Sequence, residues 1–430
     1  MTVTDKFYGW KLLTVVWFIM AFNLGIPAYS PSVLNPEMGK DLHFTRDVIG
    51  LMMSIYIIMS GLPGPLVAKL VNRLGARATI IIGTLMLVAG AIAMATLVDS
   101  ALGAYIAFGI LVGGGVCTGA SLPSQTAVAR WFLRRRAMAL SIMYSAGAIA
   151  GGLGAKLLEL LIKHTGDWRD AWWVIAAFSG LAGVLALLFV RERPEDMGQY
   201  VDGVDPAAAS APGAAPQKAK PAFITDTPWE FRDAIRTPSY WLILSSLLGG
   251  SGIYTLFLAQ GKLVLEDFGH AAGIGGTAVF TMTISGLIAK FIIVLFGDRI
   301  DPKYLWGVFM AIFGVGAVVF VHASTVPLVY TFAVCLGIGF GGGVVCLMAV
   351  LGNYYGLKAF ASLCGIAIAI NTTLSAITPP VAASLFMRGY GYVGICYFLA
   401  AWCFVGALTL FLLRRPTNPN PIPVPLPVQA

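Results

Sequence analysis

Charged side chains are scarce in this sequence: Asp, Glu, Lys and Arg together make up 11% of the 430 residues, against 58% hydrophobic residues. With a mean hydropathy of +0.82, such a chain lies far outside soluble globular domains. It reads as an integral membrane protein. Histidine is rarer still, at four residues, and His43, His164, His270 and His322 all fall near connections with no cluster of carboxylates, so metal binding is not expected and they read as solvated surface groups. The six cysteines (Cys117, Cys335, Cys346, Cys364, Cys396 and Cys403) sit inside apolar stretches without paired spacing, which excludes a disulfide framework and leaves small packing residues. No Ala-x-Ala cleavage signal follows the first apolar run, which reads as a retained helix. No nucleophile, base or metal cluster lies near an interface, so the sequence gives no enzyme and implies no cofactor.

What is present is a series of twelve apolar stretches, numbered here as spans 1 to 12, at 10–34, 48–70, 78–98, 101–127, 137–163, 172–190, 240–264, 273–297, 303–322, 326–352, 359–385 and 391–413. A helix needs about 20 mainly apolar residues to cross hydrocarbon, where no water satisfies its backbone. The predicted fold is an all-α membrane protein of twelve transmembrane helices. Lys and Arg gather in alternate connections: Lys69, Arg73 and Arg77 after span 2, Arg130 and Arg134 to Arg136 after span 4, Arg299 and Lys303 after span 8. The positive-inside rule then places both termini in the cytoplasm, with a plasma membrane, bacterial inner, as the location. The net charge of +8 is thus a topology signal and gives no support for nucleic-acid binding. The expected partners are the lipid bilayer and a small solute, and the expected state is a monomer.

The chain repeats itself. Asn72-Arg73-Leu-Gly75-Ala-Arg77 between spans 2 and 3 corresponds to Asp298-Arg299 between spans 8 and 9, and Arg136-Ala-Met-Ala opens span 5 as Lys358-Ala-Phe-Ala opens span 11. Two six-helix halves are expected, 1–190 and 237–415, with a binding site near mid-membrane. Between them, 191–236 reads as a flexible cytoplasmic linker rich in Ala and Pro, in which Trp229-Glu-Phe231-Arg232 suits a short interfacial helix. The Pro-rich 416–430 reads as a disordered tail. In span 1, Gly25-Ile-Pro27-Ala-Tyr29-Ser-Pro31 should interrupt regular hydrogen bonding.

The central residue of the sequence is Lys290, inside the apolar run of span 8, where a lysine at mid-bilayer costs about 2.5–3.5 kcal/mol even on insertion scales. Thr283, Gly286 and Lys290 are spaced at three and four, on one helix face, which holds no acid; Asp298 stands two turns away. Such a cation reads as a substrate-anion site, or else as a structural lysine bonded to backbone carbonyls. Asn371, with Thr372 and Ser375, suits a polar lining or interhelical glue; Ser121 and Gln125, with Thr118, form a stripe on span 4; Tyr29 sits at the span 1 break and Tyr254 in mid-span 7. Lys156 and Glu159, one turn apart, should pair with each other.

The Asn72-Arg73-x-Gly75-x-Arg77 turn, its Asp298-Arg299 partner and the 6+6 plan resemble the major facilitator superfamily, over roughly residues 8–415. The resemblance implies a gating role for Asn72, Arg73, Arg77, Asp298 and Arg299 on the cytoplasmic face, although Asn72 stands where the family usually has an acid. Lys290, eight positions before Asp298, together with Gly9-Trp10 and Gly25-Ile-Pro27-Ala28, is similar to the monocarboxylate transporter and oxalate/formate antiporter group. Ala28 and Gly286 depart from that group's proton-relay residues, and Asn371 takes the place of the second cation of the dicarboxylate antiporters. The resemblance implies a secondary transporter of small organic monocarboxylates, a carboxylate as substrate, a proton as coupling ion, and Lys290 as the anion site. A dicarboxylate or aromatic-acid exchanger or exporter, and a non-transporting membrane receptor, are the alternatives.

Overall fold

The computed structural model describes residues 7–205, 223–225, 227, 229–267, 269, 274–387 and 393–418, and all regular secondary structure in them is helical. The helices are α1 (Gly9–Tyr29), α2 (Arg46–Met59, resumed over 64–74), α3 (76–96), α4 (Ala101–Trp131), α5 (Arg136–Thr165), α6 (Arg169–Phe189), α7 (Pro238–Asp267), α8 (Ile274–Phe296), α9 (Pro302–Val321), α10 (326–355), α11 (357–387) and α12 (Val393–Leu412). Two of these boundaries sit on glycines with positive φ inside otherwise continuous helix, Gly75 (φ 87°, ψ 168°) and Gly356 (φ 72°, ψ 179°). Positive φ spares glycine the Cβ clash that other residues suffer, so each glycine breaks the helix in a single residue. Elsewhere polar residues begin the helices: Thr45 accepts from the Val48 amide at 3.5 Å, Ser100 from Gly103 at 3.2 Å, and Asp301 from Lys303 at 3.2 Å.

Span 2, expected as one helix over 48–70, is interrupted at 60–63 before resuming at Gly64. Pro63 and Pro65 each remove a backbone donor there, so the ladder cannot run through. The expected interruption of α1 is present and takes a definite form, a π-helical stretch over Ala21–Gly25 just before Pro27, a turn at Ser30, and a fresh start into Pro31–Asp41. Pro27 has no N–H for the carbonyl of Asn23 and its ring would clash with it, and the wider π turn relieves that clash. α4 repeats the device, with π-helical Cys117–Ser121 ahead of Pro123.

The chain divides into two compact units, Met1–Gln217 with Ile368–Ala376, and Lys218–Ala367 with Ile377–Ala430. Within the first, α3 packs along α6; within the second, α9 packs along α12, the corresponding pair. The first core is built on Met52, Tyr56, Leu87, Phe108 and Trp172. Its rings are ordered, Tyr56 stacked on Phe108 at 4.7 Å and Phe108 edge-on to Trp172 at 5.8 Å. In the second, Phe332 lies 4.8 Å from Phe257 and 4.5 Å from Phe320.

α1, α3 and α4 meet at a polar knot. Gly83 and Gly119 cross so closely that a Cβ on Gly83 would lie 2.0 Å from the Gly119 nitrogen. Beside them the fully buried Asn23 donates from Nδ2 to Thr84 Oγ1 at 2.7 Å and to the Gly119 carbonyl at 3.0 Å. That carbonyl is the one Pro123 cannot bond, lying four residues ahead of it, so Asn23 satisfies the acceptor the proline orphans.

The connecting segment differs from the expectation of a flexible linker in the parts described. Residues 191–205 lie against the first unit: the Arg191 carbonyl accepts from Trp131 Nε1 at 3.1 Å, and Gln199 Oε1 accepts from the Tyr8 amide at 2.9 Å. At the other end Trp229 is buried against Tyr355 at 5.2 Å, Glu230 pairs with Lys358, and Phe231–Ile235 forms the short helix. The Ala/Pro-rich stretch 206–222 and residues 419–430 of the tail lie outside the described residues.

Candidate functional site

α8 presents three faces. Phe280, Ile284, Ile288, Phe291 and Leu295 form an exposed stripe, as a lipid-facing surface requires, whereas Met282, Ser285, Ala289 and Ile293 are buried in the second unit. Thr283, Gly286 and Lys290 share the remaining face, half-buried at Thr283 and Lys290, so the lysine is turned away from the lipid stripe. Its Nζ donates to the Gly286 carbonyl at 3.3 Å, one turn back. Thr283 Oγ1 likewise donates within its own helix, to the Val279 carbonyl at 2.9 Å.

Lys290 is placed by the way α8 meets α10. A Cβ on Gly341 would lie 2.6 Å from both the Cα and the carbonyl oxygen of Gly286, and one on Gly337 would lie 2.1 Å from the Met282 carbonyl. The two backbones therefore touch, as small residues permit in membranes. Phe340, next to Gly341, stacks on Tyr254 of α7 with ring centroids 3.6 Å apart and planes 5° from parallel. The second unit thus brings Lys290, Gly286 and Gly341 together, with the Tyr254–Phe340 stack adjoining through the α10 backbone. Phe340 went unnoticed in the sequence because one phenylalanine among 25 carries no signal of its own.

The other sequence-derived candidates are distributed over their own helices. Asn371 is half-buried on α11 with its Oδ1 buried and lacking a hydrogen-bond partner among the described residues; Ser375, one turn on, is buried. On α4, Gln125 is fully buried and accepts from Tyr144 of α5 at 2.8 Å, while its Nε2 donors have no partner among the described residues. Ser121 is half-buried at the end of the π-helical stretch, which adds a residue to the turn and rotates it relative to Thr118. The Tyr29 ring lies over Gly151 of α5, where a Cβ would fall 2.3 Å from its Cδ2.

Of the gating residues, Asn72, Arg73 and Arg299 are exposed and Asp298 half-buried. Arg77 is engaged, its guanidinium donating to the Leu187 carbonyl and its backbone amide to Glu192 Oε1 at 2.7 Å. In the second unit the acid that anchors the turn is Asp301, which accepts from the Tyr354 hydroxyl at 2.7 Å while burial pushes its carboxyl up from the ordinary range. Neither Glu192 nor Asp301 was singled out by the sequence, since the partners that mark them, Ala76, Arg77 and Arg130 for the one and Tyr354 for the other, are remote in the chain. Lys156 and Glu159 pair at 3.0 Å as expected, with Lys163 joining at 2.6 Å. His322 meets the Tyr397 hydroxyl at 2.9 Å, His43 and His164 are exposed, and His270 lies outside the described residues. No grouping of His, Cys, Asp and Glu that suits a metal occurs among the described residues.

The sequence is similar to monocarboxylate transporter 4 of Rattus norvegicus, 25% identical over 401 residues, 91% of this chain and 80% of that protein. Monocarboxylate transporter 2 of Homo sapiens is 22% identical over 89% of this chain and 80% of its own length. Monocarboxylate transporter 14 of Mus musculus is 27% identical over 48% of this chain, and the match spans 40% of that longer protein. Among solved structures, the human organic anion transporter MFSD10 (TETRAN) aligns with a TM-score of 0.66 at 16% identity, over 96% of this chain and 100% of its own. The proton:xylose symporter XylE aligns with a TM-score of 0.69 at 13% identity, over 94% and 95%. At those identities the likeness is one of fold. The sequence profile of the Major Facilitator Superfamily matches residues 13–271 and 254–429, nearly the whole chain. This multi-pass membrane protein, with its doubled set of six helices, belongs to the major facilitator superfamily and is a transporter, not an enzyme.

Proposed function

We propose that this transporter moves small organic monocarboxylates by alternating access, with Lys290 as the site for the substrate anion and a proton as the coupling ion. The observation that carries the reading is the placement of Lys290: an ammonium on the glycine face of α8, half-buried and turned from the lipid-facing stripe. A cation is costly at that depth, by about 2.5–3.5 kcal/mol on insertion scales, and is retained where it serves an ion or substrate. The 3.3 Å contact with the Gly286 carbonyl is a neutral acceptor for that ammonium. A carboxylate would make a stronger, charge-assisted bond with the same donor. Lysine binds as a point charge without the fork of arginine, which suits one carboxylate in varied orientations. The long relatives named monocarboxylate transporters support the same cargo.

In this reading both termini are cytoplasmic, and the protein resides in a plasma membrane, a bacterial inner one. Each within its own helix, Asn371 Oδ1 offers an acceptor suited to a hydroxyl and Gln125 Nε2 a donor suited to an oxo group. Aromatic acids form a second reading, favoured by the Tyr254–Phe340 stack.

The test is uptake of a labelled monocarboxylate into proteoliposomes with and without an imposed pH gradient, in the native protein and in Lys290→Met and Lys290→Arg. Uptake should be driven by an inward-directed proton gradient, acid outside, disappear in Lys290→Met and survive in part in Lys290→Arg. Undiminished uptake by Lys290→Met removes the anion role of the residue, and indifference to the gradient removes the proton. A competition panel of mono-, di- and aromatic carboxylates separates the cargoes.

A further inference from the structure

The first turns of α1 carry a face that the fold of the first unit leaves open. Over Gly9–Met20 only Trp10, Lys11, Thr14 and Phe18 are exposed, spaced as one stripe of a helix, so Trp10 and Lys11 head the side of α1 that meets lipid. Trp10 is 40% exposed, with its ring edge-on to Phe132 at 5.2 Å. An indole at the start of a spanning helix belongs at headgroup level, where its apolar body and its N–H are both served. α6 ends beside this stripe: Lys11 Nζ stands 4.7 Å over the Phe189 ring and 5.6 Å over that of Tyr8, and Leu187 and Leu188 are exposed.

Two cations share the place without an acid. Arg135, also exposed, has its guanidinium carbon 5.9 Å from the centre of the Trp10 ring. Neither Lys11 nor Arg135 pairs with a carboxylate among the described residues, and aromatic rings are the neighbours that hold them. The acid at this connection is committed elsewhere, since Asp202 accepts from the Leu133 and Arg134 amides at 3.1 and 2.8 Å. Arg135 also stands immediately before α5, where the helix dipole repels a cation, so the fold itself gives its charge no compensation.

We infer that Trp10, Lys11 and Arg135 seat the headgroup of an anionic phospholipid, its phosphate on the two cations, its glycerol region on the Trp10 ring and an acyl chain along Thr14 and Phe18. A free phosphate would match the cations alone. The exposed Trp10, Phe18 and Leu188 match a ligand whose chains continue into hydrocarbon, and basic groups between helix ends at a membrane surface suit such headgroups. The seat lies on the lipid-facing side of the first unit, so the inference is independent of the cargo.

The experiment is native mass spectrometry of the delipidated full-length protein, titrated with phosphatidylglycerol or phosphatidylcholine, with inorganic phosphate as competitor. Phosphatidylglycerol should bind about thirtyfold more tightly, each of two cations at an anionic headgroup contributing about fivefold. Lys11→Gln combined with Arg135→Gln should lower it to the level of phosphatidylcholine, whereas Lys11→Arg should keep the preference. Both side chains are exposed, and an unfolding midpoint equal to that of the native protein verifies that the double variant is folded. Arg193→Gln, which removes an exposed cation from the connecting segment, should leave the preference unchanged. Native protein that does not distinguish the two lipids overturns the proposal, as does a double variant that still does. A loss in Arg193→Gln as large as in the double variant shows diffuse attraction instead of a seat, and displacement of the lipid by inorganic phosphate shows a free-anion site; either result overturns it.

Discussion

Replacing the glycines of the α8–α10 contact one at a time by alanine should give a graded series that follows geometry, although the chemical change is the same at each. At Gly286 the new methyl would lie 3.3 Å from the Gly337 carbonyl and 3.8 Å from both Gly341 Cα and Lys290 Nζ. That is tight but tolerable, and alanine gains about 1 kcal/mol of helix propensity over glycine. Gly286→Ala should therefore be close to neutral in stability. At Gly341 the methyl would lie 2.6 Å from two backbone atoms of Gly286, so α8 and α10 must separate by roughly 1 Å to reach ordinary contact, and overpacking of that order costs about 1–3 kcal/mol. The net loss should be about 1–2 kcal/mol after the propensity gain. At Gly337 the obstacle is a carbonyl oxygen at 2.1 Å, and the loss should be the greatest of the three. Thermal unfolding of the purified variants in one detergent reads the order directly. Transport adds a separate readout: in Gly286→Ala the methyl beside Lys290 desolvates its ammonium, so KM should rise while the folded protein persists. A Gly286→Ala variant less stable than Gly341→Ala would refute the reasoning, because backbone contact would then not govern this interface.

Asn23→Ala should destabilise the first unit by about 2–3 kcal/mol, since it removes two buried hydrogen bonds and leaves the Gly119 carbonyl without a donor; a change in unfolding midpoint no larger than that of a surface substitution would count against the knot. Tyr254→Phe should keep the ring stack with Phe340 and retain transport, whereas Tyr254→Ala should lose it; equal loss in both would assign the role to the hydroxyl. Asp41 accepts from Trp168 Nε1 at 3.0 Å and Arg169 Nη1 at 2.9 Å, and these bonds, Trp168 first, hold its carboxyl below the usual range. A depressed carboxyl stabilises the fold above the unfolded value of about 3.9 and loses that contribution as pH falls through its folded value. Unfolding midpoints recorded from pH 7 to pH 3 should therefore fall in the acid range, with a shallower fall in Asp41→Asn; parallel curves would remove Asp41 as a contributor.

The helices were legible because hydrocarbon imposes long apolar runs, and the proline-linked interruption of α1 because a missing donor is written in the residue itself. Lys290 stood out for the same reason, a charge where none is expected. Its face was also readable, since Gly286 and Thr283 share its helical phase. What escaped was set by distance along the chain. Glu192 reads as one acid in a polar stretch until Ala76, Arg77 and Arg130 are brought beside it. Likewise, the composition of 191–236 argued for flexibility, yet Gln199, Asp202 and Trp229 each find a partner in a helical unit. The stripe on α4 was drawn with a uniform period of 3.6, which the π-helical Cys117–Ser121 does not keep. The break at 60–63, by contrast, was present in Pro63 and Pro65 and was overridden by the length of the apolar run.

The two π turns ahead of Pro27 and Pro123 each store one surplus residue, and a helix that passes such a surplus along its axis swivels the stretch it crosses by about 100° while the ends stay in place. Asn23 grips both reservoirs at once, seated in the first and bonded to a carbonyl of the second. Slack released in α1 is therefore felt in α4, and two helices of the first unit can turn only as geared partners.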